Sequence, residues 1–212
     1  VEVSDLELTV QVPYWRHDIH IAEDVIEEVG RLAGFDTINL TLPRRDFVAV
    51  RPNTFDELRT VVRKSLVRAG ANEVLTYSFV HGDTLKKAGQ DPQNSYRIIN
   101  SISPELQYYR QTLTPSLLSN IFANVKAGYG SFALFEANKV HEKGDGLNDE
   151  QVPVESDRIA FVVTDSKKKG AAYYDAKRSL EYVLSVLGVE AEYKALADEA
   201  PISVPFEQKR AA

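Results

Sequence analysis

The sequence predicts an α+β fold, and three observations predict it. Apolar residues recur at helical spacing in some segments and alternate with polar ones in others. Strand-like segments are separated sometimes by helices and sometimes by bare loops, and no glycine-rich phosphate loop marks a strictly alternating nucleotide-binding sheet. A mixed or antiparallel sheet carrying helices satisfies all three.

Leu6, Leu8, Val10 and Val12 alternate with polar residues, so the chain opens on a half-buried strand that Pro13 ends. Val25, Ile26, Val29, Leu32 and Ala33 then form an apolar stripe at helical spacing. Asp24, Glu27 and Glu28 lie on the opposite face, and Gly34 supplies the left-handed stop. Residues 39–52, with Pro43, Arg44, Arg45, Asp46, Arg51 and Pro52, hold little that could anchor a core, which predicts a boundary between a domain at 1–50 and a second at 51–212. Thr54 and Glu57 have capping-box spacing ahead of a helix whose buried stripe is Phe55, Leu58, Val61, Val62, Leu66 and Ala69, closed by Gly70. Strands are expected over 73–80, 96–99 and 106–110, and a helix with proline in its first turn over 115–126. A strand over 131–140, a charged loop over 141–156, a strand over 158–164, a helix over 173–187 and a strand over 191–196 complete the pattern.

Composition bounds the function. With 43% hydrophobic and 26% charged residues the chain is an ordinary globular one, and no apolar run approaches the roughly 20 residues of a membrane span or forms a signal peptide. A net charge of -6 argues against a broad nucleic-acid binder, leaving only local RNA contact. Zero cysteines exclude disulfides, thiolate zinc and a cysteine nucleophile, and are compatible with a reducing cytosol. Lacking methionine and starting at Val1 in mid-strand, the chain reads as an internal piece of a longer polypeptide. Neither G-x-x-x-x-G-K-[ST] nor G-x-G-x-x-G occurs, and the Gly128-Tyr129-Gly130 run is a turn. His17, His20, His81 and His141 lack the i, i+4 spacing of a helical zinc site, there is no G-x-S-x-G elbow, and Ser116 has no visible histidine partner.

The sharpest feature is acidic. Asp18, Asp24, Glu27 and Glu28 surround the start of the first helix and could face one point, and hard oxygen donors grouped this way suit magnesium. A solvated helix start accounts for much of the same pattern, because carboxylates are favoured near the positive end of the helix dipole. On the residues alone both readings stand.

Four ordered stretches then carry a resemblance. The runs VPYWRHDI (12–19), DVIEEV (24–29) and GFDTI (34–38), followed by GANEVLTYSFV (70–80), NSISPELQYYRQTLTPSLL (100–118) and LFEANKVH (134–141), resemble the β subunit of bacterial phenylalanyl-tRNA synthetase. The resemblance implies a cytoplasmic class II aminoacyl-tRNA synthetase subunit in a heterotetramer of two α and two β chains. In that assembly the α subunit activates phenylalanine with ATP and transfers it to tRNA(Phe). It implies that 1–50 is the C-terminal part of a small α/β domain. It also implies that 51–212 is much of a catalytic-like domain, an antiparallel sheet flanked by helices that has lost the chemistry.

Where a true class II strand leads to an arginine on the ATP α-phosphate, the comparable strand here, 134–140, runs into His141 and Glu142. An acid cannot stand in for that cation. The class's glycine-rich third motif is not visible. The family's magnesium site, an Asp, a second Asp six residues on and two consecutive Glu at the α-subunit border, matches Asp18, Asp24, Glu27 and Glu28. This shifts the balance toward a Mg2+ site. The helix from Phe55 occupies the class II dimer-interface position, with Arg59, Arg63, Lys64 and Arg68 on a face meeting protein, tRNA or water. The alternatives are a stand-alone magnesium- or RNA-binding accessory domain, or a module with adenylate-forming activity of its own.

Overall fold

The computed structural model of the chain describes residues 2, 3, 7–166, 170–194 and 204–206. They divide into two compact units, Val1–Val50 and Arg51–Ala212.

In the first unit, β1 (Glu2–Val3) pairs antiparallel with β2 (Leu8–Thr9), Glu2 opposite Thr9. The expected strand through Val12 is therefore two residues long. Val10 and Val12 keep the half-buried alternation beyond it, while Leu6 lies outside the described residues. A turn in which Arg16 N–H donates to the Pro13 carbonyl at 3.0 Å leads into α1 (Ala22–Ala33). Gly34 ends the helix at φ 90, a conformation only glycine adopts without strain. Gly30 has a different reason: a Cβ there would lie 2.8 Å from Cε1 of Phe35, whose ring folds back onto the helix. The apolar stripe of α1 does not face a core within this unit. Val25 is half-buried, whereas Ile26, Val29 and Leu32 are exposed.

The second unit opens with α2 (Thr54–Arg68). Its N-cap is Asn53, whose side chain accepts from the Phe55 N–H at 3.0 Å, so the predicted box at Thr54 and Glu57 sits one residue too late. The helix buries only its C-terminal half. Leu66 is 2% exposed, while Phe55, Leu58 and Val61 stay open to solvent. β3 (Asn72–Glu73) and β4 (Phe79–Val80) are the two ends of the single strand expected over 73–80. They belong to different sheets because the ladder is interrupted between them. Val74 N–H still donates to the Phe135 carbonyl, but Thr76 N–H turns to the Glu136 carboxylate.

After the short helix α3 (Gly82–Lys87), which periodicity did not reveal, β5 (Tyr108–Tyr109) pairs antiparallel with β4. The expected strand over 96–99 reduces to a bridge of Arg97 with Tyr108. α4 (Thr114–Lys126) carries proline in its first turn, as read from sequence. β6 (Ser131–Val140) and β7 (Ser156–Asp165) are ten residues each and pair antiparallel along their whole length, Phe135 opposite Phe161. α5 (Ala171–Leu187) ends at Gly188 in the left-handed conformation. Of the strand expected over 191–196, residues 191–194 have no regular structure and the rest lie outside the described residues.

The three-stranded sheet has the order β3-β6-β7, and β3 runs parallel to β6. The sheet is thus mixed, not antiparallel throughout, because the long connection from β3 to β6, which contains α3 and α4, lets the chain enter β6 in the same direction as β3. Alternation along β6 gives its two faces different partners. Phe135 packs with Leu66, Ala71 and Val183 under α2 and α5, and Val62, Ala133, Phe161 and Leu187 surround that core. Glu136, next in sequence, points to the other face, where it accepts from Arg110, whose Nη1 also donates to Ser116 of α4.

Candidate functional site: an acidic helix start and a buried ion pair

The four acidic residues predicted as metal ligands lie around α1, and three of them already have protein partners. Asp24, in the first turn, accepts from the backbone N–H of His20 at 2.7 Å and of Ile21 at 3.0 Å. These bonds satisfy the open donors that precede a helix and hold the Asp24 carboxyl below its ordinary pKa. Asp18 and Glu28 share Arg16. Its Nε donates to Asp18 Oδ1 at 2.9 Å, and its Nη2 donates to Asp18 Oδ2 at 2.7 Å and to Glu28 Oε1 at 2.6 Å. Arg31 Nη2 takes the second Glu28 oxygen at 2.6 Å. The guanidinium of Arg16 holds the Asp18 carboxyl down to about 2, and those of Arg16 and then Arg31 hold Glu28 down to about 2. Glu27 is exposed and has no hydrogen bond or ion pair among the described residues.

The donor chemistry therefore suits a hard divalent cation, but the arrangement does not form its coordination sphere. Among the described residues no three Asp, Glu or His side chains converge to hold a metal. Arg16 was not among the residues singled out by sequence. The signal for it is the Arg-x-Asp spacing at 16–18, although nothing in that spacing shows that the same side chain also reaches Glu28.

A second constellation, also missed, lies inside the other unit. Arg110 and Glu136 are both 0% exposed and form an ion pair with Nη2 to Oε1 at 3.1 Å and Nη1 to Oε2 at 3.2 Å. Thr76 joins both, donating from Oγ1 to Glu136 Oε2 at 2.6 Å and accepting from Arg110 Nη1 at 2.6 Å. Burial pushes the Glu136 carboxyl up, yet the bonds from Thr76, Asn138 and Arg110 outweigh it and hold it below its usual range. The Arg110 backbone ties the elements together, its N–H donating to the Ser78 carbonyl and its carbonyl accepting from His141.

His141 and Glu142, at the end of β6, supply no fixed cation. His141 is buried against the Tyr109 ring at 4.3 Å, and burial lowers its pKa against the opposing pull of Glu155. Glu142 faces Arg158 at 4.0 Å, and the nearby Lys139 is bound to Glu155. The basic face of α2 is partly neutralised too, Arg59 pairing with Asp56 and Arg63 with Glu73 through two bonds of 2.7 Å. Lys64 and Arg68 remain exposed.

Both parts of the chain match family models of tRNA synthetase domains. Residues 1–35 match the tRNA synthetase B5 domain. Residues 38–209 match the phenylalanyl-tRNA synthetase beta chain CLM domain, and the chain belongs to the phenylalanyl-tRNA synthetase β-chain family. It is 32% identical over 197 residues to the phenylalanine–tRNA ligase beta subunit of Geobacillus kaustophilus, a match covering 88% of this chain and 24% of the relative. The corresponding subunit of Bacillus licheniformis is 33% identical over 199 residues, covering 89% and 24%. The chain thus spans about a quarter of the length of the curated relatives it matches. A solved pyrrolysyl-tRNA synthetase of Desulfitobacterium hafniense aligns with a TM-score of 0.49 at 14% identity, over 67% of this chain and 48% of that one.

Proposed function

We propose that this chain serves as a noncatalytic module of the β subunit of phenylalanine–tRNA ligase, the ATP-dependent enzyme that attaches phenylalanine to tRNA(Phe). The family match over residues 38–209 carries the proposal. In this reading 1–50 is the C-terminal part of a small domain and 51–212 a class II synthetase-like domain, working in the cytoplasm within an assembly of two α and two β chains. The absence of chemistry is supported by charge. Catalysis on ATP needs preorganised cations at the phosphates, whereas Arg110 is sealed against Glu136 and the strand ending at Val140 is followed by His141 and the acid Glu142. A free-standing RNA-binding role is not favoured, because residues 1–50 hold four Lys/Arg against ten Asp/Glu, a net -6, and residues 51–212 hold 21 of each.

The contact with the α subunit is assigned to α2. Phe55, Leu58 and Val62 form one wall of an apolar groove, Ala137 and Ile159 of the sheet form the other, and Arg59 and Arg158 rim it. An apolar floor with a charged rim is the anatomy of a protein interface. Asp18, Asp24, Glu27 and Glu28 are assigned as magnesium ligands in the assembled enzyme, with side-chain arrangements different from those described above. Coexpression with the α subunit tests the main assignment. The α chain should copurify with the wild type, and Leu58→Glu should reduce its recovery at least tenfold. Failure of α to bind, or equal recovery with Leu58→Glu, contradicts the assigned contact.

A further inference from the structure

We propose that His141 is a proton-operated latch between the β4-β5 sheet and the loop that leaves β6, closed while its imidazole is neutral and released when the imidazole is charged. The latch lies wholly inside the second unit, so it stands apart from the synthetase reading. His141 directly follows β6 and is 5% exposed. Its backbone N–H donates to the Arg110 carbonyl at 3.2 Å, and its ring lies 4.3 Å from the Tyr109 ring. Tyr109 in turn meets Phe79 edge to face at 4.8 Å, so rings from β4, β5 and the end of β6 form one column.

A neutral imidazole suits this place and a cation does not. Nδ1 is buried with no hydrogen-bond partner among the described residues, and protonation puts an N–H on both ring nitrogens. The charged ring would hold a buried donor with nothing to receive it. Charged groups face it from the ends of β5, β6 and β7. Glu155 attracts the cation, but its Oε1 is 3.7 Å from Nε2, beyond hydrogen-bond reach, and the carboxylate is already bound to Lys139. Lys139 and Arg110 oppose a further positive charge, and burial, the largest influence, also lowers the His141 pKa. The closed form thus takes up a proton less readily than an open imidazole, whose ordinary value is about 6.5, and acidification through that value favours release. Farther along the loop, Tyr96 Oη donates to the Gly146 carbonyl and Lys143 Nζ to the Gln93 carbonyl. Neither bond involves the imidazole, so release is confined to the loop base.

The test is amide hydrogen exchange of the full chain, followed by NMR at about pH 7.5 and about pH 5, in the wild type and in His141→Phe, which keeps a ring against Tyr109 and cannot take a proton. On acidification the residue 141 N–H of the wild type should lose protection at least threefold, up to the roughly thirtyfold that an ordinary imidazole in the open form allows. In His141→Phe it should lose less than twofold. A local release also requires that, at about pH 5, the wild-type His141 N–H be at least tenfold less protected than the Ala71 N–H, which is bonded to the Leu66 carbonyl in the core. Should His141→Phe fail to fold, the wild-type imidazole titration decides: its midpoint should lie below about 6.5. Unchanged protection in the wild type, an equal loss in His141→Phe, equal protection of His141 and Ala71, or a midpoint at or above the ordinary value each overturns the latch.

Discussion

Arg110 and Glu136 are the residues on which the second unit turns. Neither touches solvent, and between them they engage Thr76, Ser116, Asn138 and the Lys139 carbonyl, joining α4, β6 and the segment between β3 and β4. Removing one charge of such a pair strands the other, at a cost of about 3–5 kcal/mol. Glu136→Gln should therefore lower unfolding stability in urea by an amount of that order, and Arg110→Met with Glu136→Leu by much less. The pH dependence has a definite sign. Glu136 has a lower pKa folded than unfolded, so the unfolded chain takes up its proton first as pH falls. Its contribution is complete above the unfolded carboxyl value of about 4.3 and is lost as pH drops through the folded value. Urea midpoints of the wild type should fall below about pH 4 by more than those of Glu136→Gln; parallel profiles would contradict this role.

At the scale of elements, the cap of α2 separates two neighbouring residues. Asn53→Ala should cost about 1 kcal/mol, because its side chain satisfies the Phe55 N–H, while Thr54→Ala should cost a few tenths. The reverse order in chemical denaturation would restore the cap to Thr54. This is also where the legibility of the sequence ends. Long periodic segments were readable to within two residues at either end: the helix expected over 115–126 is Thr114–Lys126, the strand over 131–140 is Ser131–Val140, and the helix over 173–187 is Ala171–Leu187. The expected strand over 73–80 failed because Thr76 bonds to Glu136, a partner 60 residues away that no local pattern encodes. α3, at six residues, is shorter than two turns and leaves no periodic trace. The candidate site was legible in part. Spacing located Asp18, Asp24, Glu27 and Glu28 around one helix, but only coordinates show that Arg16 lies between two of them.

For the whole molecule, the two units have unlike electrostatics. The entire net charge of -6 falls in Val1–Val50, and Arg51–Ala212 is neutral. A module so divided offers an acidic segment and a groove-bearing one of zero net charge, which suits a scaffold for partner chains better than a phosphate-handling active site. The exposed Phe55 and Leu58 on α2 fit the same role, since clustered apolar side chains left open to solvent gain from cover. The most direct measurement is phenylalanine-dependent ATP–pyrophosphate exchange by this chain alone and after mixing with the α subunit. Background exchange from the chain alone, with activity appearing when α is present and bound to it, is the predicted result. Phenylalanine-dependent exchange by the chain alone would contradict its assignment as a noncatalytic module.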